Sequence, residues 1–154
     1  MSRVGARVTE EELRALGRRV GAEAAPPVFI GLRGPLGAGK SVFARAVARG
    51  AGVEGALPSP TFNIVFRYPL PGGRAVVHAD LFRIESAGEL ALVGWEDVLG
   101  DEGAIVLAEW CGRAGEELPP DRWEMRLGFV PGEAGRRGMA VERFGEPESL
   151  PWRG

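Results

Sequence analysis

The 154-residue sequence predicts a three-layer α/β fold whose mixed sheet is parallel at its centre and carries antiparallel additions. Three observations predict it. The runs 28–32 and 104–108 are short, apolar and bounded by turn residues, the signature of strands buried on both faces. Stretches of helical periodicity alternate with such strands, which calls for crossover connections and a parallel sheet. Two further pairs of strand-like runs are joined by Pro- and Gly-rich turns, which favour antiparallel return.

The elements follow in order. Thr9 with Glu10, Glu11 and Glu12 makes a capping-box start, the Thr9 hydroxyl serving the N3 amide and Glu12 reaching back to the cap. Leu13, Leu16 and Val20 then share one helix face, and Pro26 and Pro27 stop the helix. A strand over 28–32 leads through a glycine-rich turn into a second helix over about 40–51. Its inner face is Val42, Phe43, Ala46 and Val47, with Arg45 and Arg49 outside. Residues 61–68 and 74–79 read as a hairpin about the turn 69–73. Helical periodicity over 86–100 is interrupted by Gly88 and Gly94. After the strand 104–108 comes a polar stretch ending in Pro119 and Pro120, then a strand 122–130, a turn 131–138 and a strand 139–144 antiparallel to it. No repeat or second domain is evident, so residues 1–154 are expected to form a single domain with 145–154 as a peripheral tail.

Composition narrows the function classes. A chain of 16.4 kDa can bury roughly 70% of the surface its unfolded form exposes. The 24 Gly and 12 Pro make it loop-rich, just under the low-complexity range of about 25–30%. The net charge of −2 gives the chain no electrostatic hold on nucleic acid or an anionic membrane. One cysteine, Cys111, excludes an intrachain disulfide and a Cys-rich metal site. With no secretory leader and no apolar run near the ~20 residues of a membrane span, a cytoplasmic location is expected. Of 19 basic residues only Lys40 is lysine. Such a survivor fits a site where a compact ammonium cannot be exchanged for a planar guanidinium.

That lysine lies in Gly34-Pro35-Leu36-Gly37-Ala38-Gly39-Lys40-Ser41, which matches G-x-x-x-x-G-K-[ST] at every fixed position, after a predicted strand and before a predicted helix. Small residues let successive backbone amides turn inward around a phosphate chain, and the helix N-terminus adds partial positive charge. Lys40 is placed to reach the β- and γ-phosphates and Ser41 to offer its hydroxyl to Mg²⁺. Such a loop needs a carboxylate near the metal, commonly at the end of a neighbouring buried strand. Asp80 and Glu109 both follow apolar strands. Either can hold the metal through water or orient the attacking water, and the spacing does not divide the roles.

Absences remove several classes. An N-K-x-D guanine motif needs a second lysine, and the water-positioning glutamine of Ras-like proteins cannot exist in a chain without Gln. ATP is therefore favoured over GTP. The glutamine signature of transporter ATPases is missing too, and 154 residues leave little room for the insertions of many small-molecule kinases.

Leu36 to Ser41, then Ser59-Pro60-Thr61-Phe62, then His78-Ala79-Asp80-Leu81-Phe82-Arg83, then Glu109-Trp110, in that order and spacing, resemble the TsaE (YjeE) family of bacterial P-loop ATPases. The resemblance implies a P-loop NTPase fold and a place in tRNA threonylcarbamoyladenosine synthesis. ATP hydrolysis there resets the TsaD–TsaB threonylcarbamoyl-transfer complex. It also implies that Thr61 approaches Mg²⁺ or the γ-phosphate, that Asp80 and Glu109 are functional acids, and that Trp110 packs beside the nucleotide. His78 and Arg83 flank Asp80 in the family pattern, and their roles stay open between structure and function. Cys111 stands where many relatives have Pro or Ala and reads as a packing residue. Arg136 and Arg137, in the Gly-rich turn, read as a solvated loop.

Motif and resemblance together imply a nucleotide-binding set of Gly34, Leu36, Gly37, Ala38, Gly39, Lys40, Ser41, Val42, Thr61 and Trp110. The implied metal set is Ser41, Thr61, Asp80 and Glu109, and the implied catalytic set is Lys40, Asp80 and Glu109. The cofactors are ATP and Mg²⁺. The partners are TsaD and TsaB, with tRNA reached only through their complex and neither DNA nor a membrane engaged. Two other readings compete with a partner-stimulated ATPase. One is a small-molecule kinase in which Asp80 or Glu109 is the base; the other is a nucleotide-gated binding module without turnover.

Overall fold

The computed structural model describes residues 3–57 and 64–152. Thr61, with Ser59, Pro60 and Phe62, lies outside the described residues. Seven strands form one mixed sheet: β1 (Arg3–Thr9), β2 (Val28–Arg33), β3 (Val65–Pro69), β4 (Ala75–Asp80), β5 (Ala104–Glu109), β6 (Arg122–Phe129) and β7 (Arg136–Phe144). Their order is β1-β7-β6-β2-β5-β4-β3. The centre β6-β2-β5-β4 is parallel, while β3 joins β4, and β7 joins β6 and β1, antiparallel. The expected mixed sheet is thus present.

One face carries helices α1 (Glu10–Glu23) and α2 (Lys40–Ala51), whose apolar sides meet Ile30, Leu32, Ile105, Leu107, Met125 and Val141 in the larger core. On the opposite face, α3 (Ala87–Leu92), α4 (Trp95–Gly100) and a 3₁₀ segment Cys111–Glu117 bury Phe29, Val77 and Val106 against Leu90 and Trp95. Helix α1 begins as the capping box predicts: the Glu12 amide donates to Thr9 Oγ1 at 3.1 Å, and the Thr9 amide to Glu12 Oε1 at 2.9 Å. It ends at Glu23, before the Pro26–Pro27 pair, whose peptide bond is cis. Among the described residues no helix is long and apolar enough to cross a membrane.

Four features differ from the sequence expectations. Strand β1 had no counterpart: Arg3–Thr9 pairs along β7, a partner more than a hundred residues away in sequence that local pattern does not reveal. Strand β7 begins at Arg136 rather than 139, because the tight turn is completed by the Arg136 amide donating to Glu133 O at 3.1 Å. The polar stretch after β5 winds into the 3₁₀ segment. Most consequentially, the segment 145–154, expected at the periphery, sends Trp152 into the core, where it stacks on Phe43 at 6.1 Å and meets Trp123 edge-on at 5.6 Å.

Candidate functional site

Strand β2 turns into α2 through Gly34 to Gly39, and the turn depends on glycine at Gly34, Gly37 and Gly39, all with positive φ. Gly34 has φ 141° and lies so close to Leu127 O on β6 that a Cβ would collide with it; Gly39, with φ 110°, is the left-handed residue that starts α2. No side chain caps α2 and no acid sits in its first turn. Its leading amides therefore have no capping side chain from the helix itself, as an anion site at a helix start requires.

Lys40, the first residue of α2, is buried. Its ammonium donates to Gly34 O at 2.5 Å and Pro35 O at 2.9 Å, and lies 4.7 Å from the centroid of the Trp110 ring. It thus spans the loop from the inside. Burial lowers its pKa, and the Glu109 and Asp80 carboxylates pull the other way.

The two acids sit side by side. β4 and β5 run parallel with Asp80 opposite Glu109, and the turn after β4 is tied to β5 by the Leu81 amide donating to Glu109 O at 3.0 Å. Ser41 Oγ donates to Glu109 Oε1 at 3.0 Å and Oε2 at 2.9 Å, and His78 Nε2 lies 2.6 Å from Glu109 Oε2. Asp80 accepts from the Phe82 amide at 3.1 Å. Its pKa is raised chiefly by burial and also by the Glu109 charge, against the Phe82 hydrogen bond, His78 and Lys40. A hard oxygen-seeking cation suits this donor set, because Mg²⁺ takes one or two protein oxygens and keeps waters and phosphate oxygens for the rest. Among the described residues no group of three His, Cys, Asp or Glu is placed to hold a metal by itself.

A cavity of about 470 Å³ opens at this end of the sheet. Leu36, Gly37, Ala38, Gly39, Lys40, Ser41, Val42, Asp80, Glu109 and Trp110 all line it. Gly34 sits behind the loop, accepting from Lys40, rather than in the lining. Trp110 is the one non-glycine residue with positive φ, 55°, among the described residues; this turn off β5 sets its indole against Phe82 at 4.9 Å and over Lys40.

The cavity also contains residues that the sequence did not mark. Glu10 and Leu13 of α1, Ala134 and Gly135 of the β6–β7 turn and Arg137 at the start of β7 complete its wall. Arg137, read from sequence as part of a solvated loop, instead lines the cavity and lies over the Phe129 ring at 4.8 Å. Nothing local signals this, because the turn is brought to the phosphate loop by sheet order alone. Cys111 is buried beneath Gly31, and burial pushes its thiol up to about 11, which suits the packing role expected of it. Arg83 is exposed and does not join the cavity lining.

Comparison with known proteins gives a consistent result. The family model for threonylcarbamoyl adenosine biosynthesis protein TsaE matches residues 8–137. The tRNA threonylcarbamoyladenosine biosynthesis protein TsaE of Mycobacterium bovis is 37% identical over 123 residues, covering 76% of this chain and 73% of its own. Its Streptomyces coelicolor namesake is 33% identical over 138 residues, covering 87% and 92%. Among solved structures, Bacillus subtilis YdiB superposes with a TM-score of 0.76 at 26% identity, over 94% of this chain and 87% of that one.

Proposed function

The chain belongs to the TsaE family and so takes part in tRNA threonylcarbamoyladenosine biosynthesis; within that role we propose that it is a single-domain, Mg²⁺-dependent ATPase whose turnover resets the TsaD–TsaB transfer complex. The observation that carries this reading is the contact of Ser41 Oγ with both oxygens of the buried Glu109 carboxylate, at 3.0 and 2.9 Å, at the uncapped start of α2. A phosphate-binding helix end and a cation-binding oxygen pair there share one point.

The residues divide the work as follows. The amides of Gly37 to Ser41 and the α2 N-terminus bind the phosphates. Lys40 exchanges its loop carbonyls for phosphate oxygens, at little cost in charge solvation since it is already desolvated. Ser41 and Glu109 hold Mg²⁺, which when bound would offset charge developing on the phosphate oxygens. Asp80, beside Glu109 and raised in pKa by burial, orients the attacking water. Trp110 and Val42 cover the nucleotide, and Thr61 contributes a further oxygen; Ile64, three residues later in sequence, accepts from the Asp80 amide at 2.8 Å through its carbonyl. TsaD and TsaB supply what the isolated site lacks for rapid turnover.

Steady-state Mg²⁺-ATP hydrolysis by the purified chain, alone and with TsaD and TsaB, tests the proposal. A slow basal rate should rise with the partners, and Lys40→Ala should lower it by about 10²–10³, the usual loss for a charge-stabilising donor. Hydrolysis indifferent to Lys40→Ala would reject the site, and hydrolysis indifferent to active partners would reject the reset role.

A further inference from the structure

His78 is the sole histidine of the chain, and its imidazole is buried with only 4% of the side chain exposed, beside a Glu109 side chain at 5%. Its place follows from the register. His78 lies two residues before Asp80 on β4, so both project from the face that carries α2, and Asp80 is itself the neighbour of Glu109 across the β4–β5 pair. The imidazole therefore reaches Glu109 along a diagonal and meets Oε2 at 2.6 Å. A buried carboxylate is held in place by the hydrogen bonds it accepts. Two side chains supply them here: Ser41, with one hydroxyl hydrogen shared between Oε1 and Oε2, and His78.

These donors differ in kind. A hydroxyl that turns its lone pair toward a cation redirects its hydrogen, whereas an imidazole N–H held in a strand keeps its direction. A carboxylate accepts only, so the ring nitrogen facing it carries the hydrogen. We propose that His78, donating from Nε2, is the positioning residue for Glu109, holding Oε2 so that the carboxylate stays aimed at Ser41 and at the cation the pair binds. The proposal rests on the Mg²⁺-ATPase reading and assigns His78 a part in metal affinity that it exerts through Glu109. Without the imidazole, Glu109 is free to turn toward the Lys40 ammonium, an unlike charge with which it interacts. Outer-shell partners of this kind ordinarily change metal affinity or activity by about 10–100-fold.

The experiment uses the full chain without a purification tag, so that ¹⁵N-labelled histidine yields one imidazole. In the wild type the spectrum should show hydrogen on Nε2, with the Nε2 signal moving in Glu109→Gln. Mn²⁺ binding to the protein–ADP complex is then followed by electron paramagnetic resonance. His78→Leu should weaken Mn²⁺ by about 10–100-fold, while ADP affinity in chelator stays within about twofold. His78→Gln, whose amide nitrogen can stand where Nε2 stands, should recover most of the loss. Wild-type Mn²⁺ affinity in folded His78→Leu, equal losses in the Leu and Gln variants, or an Nε2 without hydrogen would each overturn the proposal. If the Leu variant does not fold, the Nε2 hydrogen and the Gln variant decide. Failure of the ATPase reading shows separately, as absent hydrolysis in the wild type.

Discussion

Asp80 ends β4 with its carboxyl drawn into the cavity wall, where burial, the largest influence on it, raises its pKa, and the Glu109 charge pushes the same way. Between the ordinary carboxyl value and this raised one, the native state holds a proton that the unfolded chain has lost. Stability therefore falls as pH rises through that window and stays lower above it. Asp80→Asn keeps an oxygen to accept the Phe82 amide and removes the charge. It should raise Tm at neutral pH in chelator, match the wild type below the carboxyl range, and lose ATP turnover. A lower Tm at neutral pH would show that the ionised form is stabilised by the fold. The two acids were legible in the sequence because each closes an apolar strand beside a phosphate-loop signature. The part played by His78 was not, since an imidazole on a buried strand is as readily a packing residue until its neighbour across the sheet is known. Arg137 and Glu10 were hidden for a similar reason: only the tertiary arrangement brings a turn and a helix start to the phosphate loop.

Helices α1 and α2 touch through glycine. A Cβ on Gly21 would collide with Val47 O, one on Gly50 with Arg18 O, and one on Gly17 would lie 2.6 Å from Ala46 Cβ. The close approach matters to the site, because α1 brings Glu10 and Leu13 to the cavity that α2 begins. Gly21→Ala pits about 1 kcal/mol of improved helix propensity against overpacking of about 1–3 kcal/mol or more. A backbone carbonyl cannot rotate aside, so the collision wins. A net loss of about 2 kcal/mol is expected, a fall in Tm of roughly 4–8 °C for a chain of this size, read by calorimetry. An unchanged or higher Tm would mean that the helices separate at little cost. Both helices were legible from Thr9, the two prolines and the apolar spacing. The glycines were not, because inside a helical pattern they read only as weak helix formers, and the contact that requires them lies on another element.

Sheet order gives the molecule its working end. The strand ends of β4 and β5, the β2–α2 loop and the β6–β7 turn converge on one cavity, the place that open α/β sheets reserve for ligands. Trp152 extends the same economy to the far end of the chain, joining Phe43 of α2 to Trp123 of β6. The sequence could not place it, because a lone tryptophan in an aperiodic tail has no register. What the whole sequence does foretell is electrostatic. With 19 basic and 21 acidic residues, and with Arg33 and Arg122 committed to Glu124 at 2.5 and 2.7 Å, the chain carries no net positive charge to draw a phosphate backbone. Non-specific nucleic-acid affinity of even 10⁻⁴–10⁻⁶ M comes from neutralising several phosphates at once. The isolated chain should therefore show no tRNA binding below about 10 μM at physiological salt, and tRNA should be retained only when TsaD and TsaB are present. Filter binding over a salt series measures both. Tight binding by the chain alone, weakening steeply with salt, would place tRNA directly on this protein and would require the reset role to be rewritten as one that senses the substrate itself.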